Sequence, residues 1–159
     1  RRQSGGVRLR PAPGTRSETL RLKVMEKDVL ASFLDPAGSG YDEGPCRIVK
    51  IPGVPVRRLD DLSGAIPRLR SSRRMLRKID TQGFDPQVLD GARGILDRVV
   101  ALPIETPMAQ MDDVAPGLLD VLDAARERGF HPAAFAPSFI AEDRIVDVDI
   151  LFMNADFAT

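Results

Sequence analysis

A polar turn in the middle of the chain holds the residues best suited to bind a ligand: Asp80, Thr81, Gln82 and Gly83. The turn follows a short apolar run over residues 75–79, which predicts a buried strand, and a helical pattern begins just after it. In doubly wound α/β enzymes, ligands bind beyond the carboxyl ends of the strands, where such turns gather. The sequence therefore predicts a strand, a polar turn and a helix, with the four turn residues as site candidates.

The helix that is expected after the turn has a start signal and an apolar face. Asp85 can cap this helix, and Pro86 can occupy its first turn, where no amide donor is missed. Apolar residues then recur at helical spacing, which predicts one face toward a core: Val88, Leu89, Ala92, Ile95, Leu96 and Val99.

A second carboxylate is expected at the same edge of the sheet. Residues 99–105 form a continuous apolar run of the type buried in parallel sheets, and Glu105 stands at its carboxyl end. Asp80 and Glu105 should then end adjacent parallel strands and meet at a shared cleft, where a carboxylate can act as a general base. A structural role for Asp80 is the alternative, because aspartates in strand-to-helix turns commonly accept free backbone N–H groups.

Residues 78–92, which read KIDTQGFDPQVLDGA, resemble the signature of the FkbM-type methyltransferases. That family commonly shows KID.QG.E..VL.GA here, and Asp85 stands where the family usually has Glu. The resemblance extends to further segments in the order expected for a βαβ series: LASFL (30–34), VPVRRLDDL (54–62) with Asp60 at the matching position, ALPIETP (101–107) with Glu105, and RGFHP followed by IVDVDILFMN.

This resemblance implies an S-adenosylmethionine-dependent methyltransferase that methylates a hydroxyl oxygen on a small molecule or a glycan. The fold that it implies is α/β, with a Rossmann-like class I methyltransferase sheet that is mostly parallel and has an antiparallel closing hairpin. Asp80 would be the base or the group that orients the acceptor, and Glu105 would be a second catalytic contact. Asp80, Gln82 and Gly83 would bind the cofactor, S-adenosylmethionine.

A Gly-rich cofactor turn is missing from this sequence, although Rossmann-like folds that bind a nucleoside cofactor usually open with one. Gly5-Gly6 follows no apolar strand, and Gly38-Ser39-Gly40 stands in a Pro- and Asp-rich stretch typical of a loop. We therefore expect residues 1–159 to be one partial methyltransferase domain that lacks its first strand-helix units. Such a chain would bind S-adenosylmethionine weakly or not at all, and its strand at residues 75–79 would have an unpaired edge.

The composition limits the function classes that are expected. With 159 residues, of which 43% are hydrophobic, the chain is long enough for one core, and one domain is expected. Lys and Arg total 23, as do Asp and Glu, so the net charge of zero gives no global field that favours nucleic acid. One basic cluster could hold a phosphate, but it lacks aromatic neighbours for base stacking and is expected to be a solvated connection: Arg68, Arg70, Arg73, Arg74, Arg77 and Lys78.

Other chemically active residue types are few. The single cysteine, Cys46, excludes an intrachain disulfide, and the lone histidine, His131, is expected at a helix exit. Asp147 and Asp149 point the same way on a predicted strand, but two like charges without further ligands predict no metal site. No run approaches a membrane span, so we expect no membrane partner and a cytoplasmic setting, with a homo-oligomer left open.

The remaining elements are predicted from local patterns. Residues 1–19 are expected to be loop-like, and Gly129 should end a helix whose apolar face is formed by Leu118, Leu119, Val121, Leu122 and Ala125. Strands are expected at residues 20–24, 47–51, 54–59, 130–139 (an edge broken by prolines) and 145–153, and a short helix within residues 60–74.

Two other hypotheses stay open beside the enzyme. A non-catalytic interaction module derived from a methyltransferase would account for the missing cofactor turn. A nucleic-acid-binding domain would depend on the basic cluster at residues 68–78.

Overall fold

The computed structural model describes residues 10–27, 30–34, 47–108, 116–141 and 143–157. These residues form an α/β protein with three sheets, of which the largest has four strands. In chain order the elements are β1 (Ala12–Pro13), β2 (Glu18–Arg21), β3 (Val24–Met25), β4 (Ile48–Lys50), β5 (Gly53–Arg57), α1 (Leu59–Ala65), α2 (Pro67–Ser71), β6 (Met75–Leu76), α3 (Asp85–Asp90), β7 (Val99–Pro107), α4 (Leu118–Arg126), β8 (Phe130–Ala141) and β9 (Arg144–Asn154).

The four-stranded sheet mixes parallel and antiparallel pairs. Its strand order is β6-β7-β9-β8, and β6 runs parallel to β7. β9 runs antiparallel to both β7 and β8, so that β8 and β9 form an antiparallel hairpin at the end of the fold. The predicted α/β class with parallel strands is confirmed.

Alternation along β7 and β9 gives this sheet one covered face. Three cross-strand pairs are buried there: Leu102 with Phe152, Ile104 with Ile150, and Thr106 with Val148. Because side chains alternate along a strand, the residues between them, including Glu105 and Asp149, lie on the opposite face. The alternation predicted for residues 145–153 is confirmed.

Two helices pack over the covered face and complete the core. Val88 of α3 and Val121 of α4 belong to the same buried cluster as Ile104. The apolar face predicted for α4 is confirmed except at Leu119, which is 73% exposed. Gly129 follows the helix with φ 81°, as the C-terminal signal predicted.

The helix after the turn is shorter than predicted. α3 ends at Asp90, and the chain continues through turns and a 3-10 helix, Leu96–Arg98, before β7 begins. Gly91 and Gly94 fall in this stretch, and glycine is a poor helix former. All the apolar residues of the predicted face are still buried, because the irregular segment covers the same core: Val88, Leu89, Ala92, Ile95, Leu96 and Val99.

A second sheet forms where residues 1–19 were expected to be loop-like, so that expectation is wrong for β1 and for the start of β2. These two strands flank β5, with β1 parallel and β2 antiparallel to it. The sheet meets α3 through backbone: a Cβ on Gly91 would lie 1.9 Å from the carbonyl oxygen of Gly14. Asp60 also donates its N–H to the Gly91 carbonyl at 3.0 Å.

Several other predicted elements are present with different bounds. The strand predicted at residues 20–24 is divided between β2 and β3, and those at 47–51 and 54–59 correspond to β4 and β5. The short helix within residues 60–74 is two helices, α1 and α2, which part just before Pro67. A residue that precedes proline is disfavoured in the helical conformation, which explains the break.

β6 is an edge strand rather than the buried strand that was predicted. It spans only Met75–Leu76, and Leu76 is 71% exposed. Ile79 returns to the core through a parallel bridge with Ile104. Within the described ranges no strand pairs with the outer side of β6, which agrees with the unpaired edge expected there.

β8 forms the other edge of the sheet, as predicted. Its register with β9 shifts beside Pro132 and Pro137, whose rings leave no N–H for a ladder. His131 lies exposed in this strand. It is the second residue of the strand, which begins at Phe130 soon after α4 ends at Arg126, so its predicted place at the exit from a helix agrees with the structure.

Candidate functional site

Asp80 and Glu105 each follow directly after one residue of a parallel bridge that joins the segment after β6 to β7. Ile79 and Ile104 pair directly in the parallel bridge, and both side chains are buried, with 4% and 0% exposure. Asp80 and Glu105 are the next residues along the chain. Glu105 lies within β7 on the face opposite to the core, and Asp80 begins the turn beyond the bridge. We call Asp80, Thr81, Gln82, Gly83 and Glu105 together the rim. The structure thus brings the two predicted carboxylates to one edge of the sheet.

The carboxylate of Asp80 has a partner at each oxygen. Lys78 Nζ lies 3.1 Å from Oδ2, and Gln82 Nε2 donates to Oδ1 at 3.4 Å. The hydrogen bond from Lys78 to Asp80, reinforced by their opposite charges, raises the pKa of Lys78 above its ordinary value. Glu105 and Asp149 add to this effect, which places both carboxylates within electrostatic reach of the lysine.

Glu105 stands among further acidic side chains on the open face of the sheet. It lies opposite Asp149 on β9 and accepts a hydrogen bond from Ser138 Oγ at 3.0 Å. Partial burial raises the pKa of Asp147, and the charge of Glu105 raises it further. The acidic residues Asp80, Glu105, Asp147 and Asp149 therefore outnumber the one nearby cation that contacts them, Lys78, and we expect a negative potential beside the rim.

The turn itself is stabilised by Asp85, but not in the manner predicted. Phe84 is the N-cap of α3, and its side chain makes no capping bond. Asp85 instead accepts hydrogen bonds from Thr81 N at 3.2 Å and from Thr81 Oγ1 at 2.7 Å. Asp85 is 2% exposed, and its burial raises its pKa despite these bonds. Its acceptor oxygen thus stabilises the backbone before the helix rather than the helix N-terminus, while Pro86 lies in the first turn as predicted.

A residue distant in sequence, Ser32, also holds the turn. Gln82 has φ 49° and Gly83 has φ 87°, so two successive residues adopt the left-handed region. Ser32 Oγ donates to the carbonyl oxygen of Gln82 at 2.9 Å, and the Phe33 and Phe84 rings pack with centroids 5.1 Å apart. The sequence did not single out Ser32, and the only sequence signal for it was its place in LASFL.

Asp60, the other acidic residue matched by the resemblance, has a structural role. Its Oδ2 accepts from Arg58 at 2.6 Å, and its Oδ1 accepts from Gly94 N at 3.0 Å. These bonds link the start of α1 to the irregular segment after α3. Asp60 is therefore absent from the rim.

Asp80 is exposed and Glu105 is partly buried, so the rim is accessible to solvent. Two recesses lie elsewhere: one of about 120 Å³ is lined mainly by apolar residues that include Met75, Leu76 and Val99, and one of about 320 Å³ lies between Arg93 and Asn154. Neither contains Asp80 or Glu105. These two recesses are therefore not the shared cleft that was expected between the two carboxylates.

The other candidate residues lie apart from the rim or beyond the described residues. Cys46 and Gly38-Ser39-Gly40 fall outside the described ranges. The basic cluster at residues 68–78 lies on α2 and the segment around β6, where its arginines are exposed or partly exposed. In the described part of the chain, no group of three or more His, Cys, Asp or Glu side chains is placed to hold a metal ion. None of the described helices has the length and apolar character that a membrane crossing requires.

Comparisons with known proteins add no relative to this picture. No protein-family model, curated protein or solved structure gives a significant match to the chain. The resemblance to the FkbM-type methyltransferases therefore depends on the residues quoted from the sequence, and the function drawn from it is a proposal.

Proposed function

We propose that this chain is part of an S-adenosylmethionine-dependent methyltransferase that methylates a hydroxyl group on a small molecule or a glycan. The observation that carries the proposal is the matched placement of Asp80 and Glu105, one residue beyond the Ile79–Ile104 bridge. The carboxyl ends of parallel strands are where doubly wound folds bind ligands. The parallel β6–β7 pair and the antiparallel β8–β9 hairpin also agree with the Rossmann-like sheet that the resemblance implies. A cytoplasmic location belongs to the same proposal.

The residues of the rim fit the charge of the cofactor. S-adenosylmethionine, when bound, supplies an electrophilic methyl group on a positively charged sulfonium. Asp80 and Glu105 are half-exposed carboxylates on a face that also carries Asp147 and Asp149, so a cation is attracted there. Gln82 offers a side-chain amide, and Gly83 offers backbone without a side chain.

In the proposed reaction, Asp80 orients the acceptor hydroxyl and takes up its proton. S-adenosylmethionine, when bound, would supply the methyl group with its sulfur as the leaving group, and Asp80 would hold the acceptor oxygen in line with the methyl–sulfur bond. Lys78 and Gln82 hold the Asp80 carboxylate in one orientation through bonds to its two oxygens. Glu105 provides a second polar contact for the acceptor, and alignment of the reacting groups supplies much of the acceleration.

Photocrosslinking with methyl-labelled S-adenosylmethionine tests this proposal on the 159-residue chain. We expect label to be incorporated at residues 80–83, and Asp80→Asn to lower the yield about fivefold, the effect of losing one exposed charge contact. Asp123→Asn is a matched control, because Asp123 makes a similar exposed ion pair with Arg126 on α4, away from the rim. The control should crosslink like the unaltered chain.

Equal crosslinking of the Asp80→Asn and Asp123→Asn variants would contradict a role for Asp80 in cofactor binding. Thermal unfolding of both variants provides the check on structure. Each substitution alters exposed contacts, those of Asp80 with Lys78 and Gln82 or that of Asp123 with Arg126, and should change stability by less than about 1 kcal/mol.

A non-catalytic interaction module is the second candidate function. It is favoured by the large apolar side chains that β8 exposes, Phe135 at 55%, Phe139 at 53% and Ile140 at 58%. Contiguous exposed apolar residues often mark an interaction surface. Under this hypothesis the chain would incorporate no label at residues 80–83.

A further inference from the structure

We infer that Ser32 is a positioning residue for the rim: its hydroxyl holds Gln82 in the left-handed conformation that turns the Gln82 amide toward Asp80. This inference depends on the proposed function for its catalytic meaning, whereas the hydrogen bond on which it is built belongs to the structure itself. Ser32 lies 50 residues before Gln82 in sequence, so the contact joins the rim to a separate part of the chain.

The turn at Gln82 has an unfavourable backbone conformation. Gln82 has φ 49°, in the left-handed region, which is unfavourable for a residue with a Cβ because the Cβ lies too close to the following carbonyl oxygen. Asn and Asp enter this region more readily than Gln, and Gly enters it freely. A non-glycine residue stays there only when surrounding contacts hold it.

The Ser32 hydroxyl both donates and accepts a hydrogen bond. It accepts a hydrogen bond from Leu34 N at 3.2 Å and donates its proton to the Gln82 carbonyl at 2.9 Å. Ser32 is 9% exposed, so water competes poorly for either bond. Because the Leu34 amide occupies an acceptor position, the hydroxyl proton is directed to Gln82.

The backbone of Ser32 is also held in place by hydrogen bonds. Ser32 and Lys23 exchange two backbone hydrogen bonds, at 2.8 and 3.1 Å, in an antiparallel bridge. Lys23 Nζ also donates to the Phe33 carbonyl at 3.0 Å, and the Phe33 ring packs on Phe84. Ser32 is thus attached on one side to the strand region before it and on the other to the residue after the turn.

Together with Asp85, Ser32 holds the turn at two points. Asp85 binds the amide of Thr81, and Ser32 binds the carbonyl of Gln82. With its backbone held in this way, the Gln82 side chain reaches the Asp80 carboxylate at 3.4 Å. Loss of the Ser32 bond leaves a shielded carbonyl without its donor and frees Gln82 to leave the left-handed region.

Amide hydrogen exchange of the Ser32→Ala variant, followed by NMR, tests the positioning directly. The Thr81 amide donates to the Asp85 carboxylate, and the Phe84 amide donates to the Thr81 carbonyl. We expect both amides to exchange about 10-fold faster in Ser32→Ala than in the unaltered chain. The amides of Ile104 and Ile150 in the central pair of strands should keep their rates. Ser32→Thr, which retains the hydroxyl, should restore slow exchange.

Ser71→Ala is the matched control, because Ser71 Oγ bonds only to carbonyls of its own short helix, α2. Ser71→Ala should change neither the amide exchange rates of Thr81 and Phe84 nor crosslinking to labelled S-adenosylmethionine. Ser32→Ala should lower that crosslinking about as much as Asp80→Asn does, and Ser32→Thr should recover it.

Unchanged exchange at Thr81 and Phe84 in Ser32→Ala would overturn the inference, whatever the cofactor result. An unaltered chain that incorporates no label would instead contradict cofactor binding at the rim of this chain, and the exchange rates would still decide whether Ser32 holds the turn. If Ser32→Ala unfolds the chain, the amides of Ile104 and Ile150 lose their protection from exchange. The Ser32→Thr variant then decides: faster amide exchange at Thr81 and Phe84 in that variant than in the unaltered chain would count against the inference.

Discussion

At the scale of single residues, the rim depends on polar groups whose partners are specific. Asp80 is paired with Lys78 and Gln82, whereas Asp85 is buried against Thr81. The two aspartates stand five positions apart and have different surroundings. Asp80 is exposed enough to meet a ligand, and Asp85 is committed to the backbone of the turn.

Asp85 should give the chain a recognisable dependence of stability on pH. Burial raises its pKa above the ordinary 3.8, so the folded state binds more protons than the unfolded state between 3.8 and the raised pKa. The stability of the unaltered chain relative to Asp85→Asn should therefore fall as pH rises through that window and then level off. Urea unfolding of both proteins at a series of pH values measures this difference.

Asp90 provides a control with the opposite sign. Partial burial opposes its ionisation, but hydrogen bonds from Arg93 and Arg128 prevail and lower the pKa of Asp90. Its contribution is present above the ordinary 3.8 and is lost as pH falls toward the lowered pKa. A stability difference for Asp85→Asn that rises with pH, as expected for Asp90→Asn, would contradict the account of Asp85.

At the scale of elements, the contact between α3 and the sheet of β1, β5 and β2 has no room for a side chain. Gly91 approaches the Gly14 carbonyl so closely that a Cβ would lie 1.9 Å from its oxygen. The obstructing atoms are backbone, so relief requires one element to move. Gly91 is also the glycine in the VL.GA part of the motif quoted from the sequence. The close contact with Gly14 explains why this position has no room for a side chain.

Gly91→Ala should destabilise the fold by about 1–3 kcal/mol, the usual cost of overpacking. Gly64→Ala is the matched control, because a Cβ at Gly64 in α1 meets nothing within 4 Å. That control should be neutral or stabilising by up to about 1 kcal/mol, since alanine is the better helix former. Denaturant unfolding of both variants gives the comparison, and equal stability would show that the Gly91 contact relaxes without cost.

The elements that could be predicted from sequence are those with a sustained local pattern. A continuous apolar run predicts β7, and an alternation of apolar and polar residues predicts β9. Apolar residues at helical spacing predict α4. The end of α3 could not be predicted, because residues 91–98 keep the helical spacing of buried side chains while following an irregular path.

Contacts between distant parts of the chain account for the other differences. Ser32 lies 50 residues from its partner Gln82, and no local pattern reports such a bond. The exposure of Leu76 likewise depends on which strands flank β6, which is a property of the sheet and not of the apolar run. The two rim carboxylates could be predicted because parallel strands bring their carboxyl ends together.

At the scale of the whole molecule, α3 and α4 cover one face of the four-stranded sheet, and the other face carries partly buried and exposed side chains in the described ranges. The covered face packs on α3 and α4, while the open face carries Glu105 and Asp149 between partly buried apolar residues such as Leu151. Sheets with parallel strands are usually covered on both faces. An open face beside the rim fits weak ligand binding by this chain, because nothing in the described ranges closes over the two carboxylates.

An NMR titration of the 159-residue chain with S-adenosylmethionine tests the central claim most directly. The account predicts amide shift changes at Thr81, Gln82, Gly83 and Glu105, saturating with a dissociation constant on the order of 1 mM or weaker. Adenosine monophosphate, which shares the nucleoside but carries negative charge, should leave these amides unchanged. Absence of any shift, or shifts confined to the recess between Arg93 and Asn154, would contradict the claim that the carboxylates of Asp80 and Glu105 form a cofactor-binding rim.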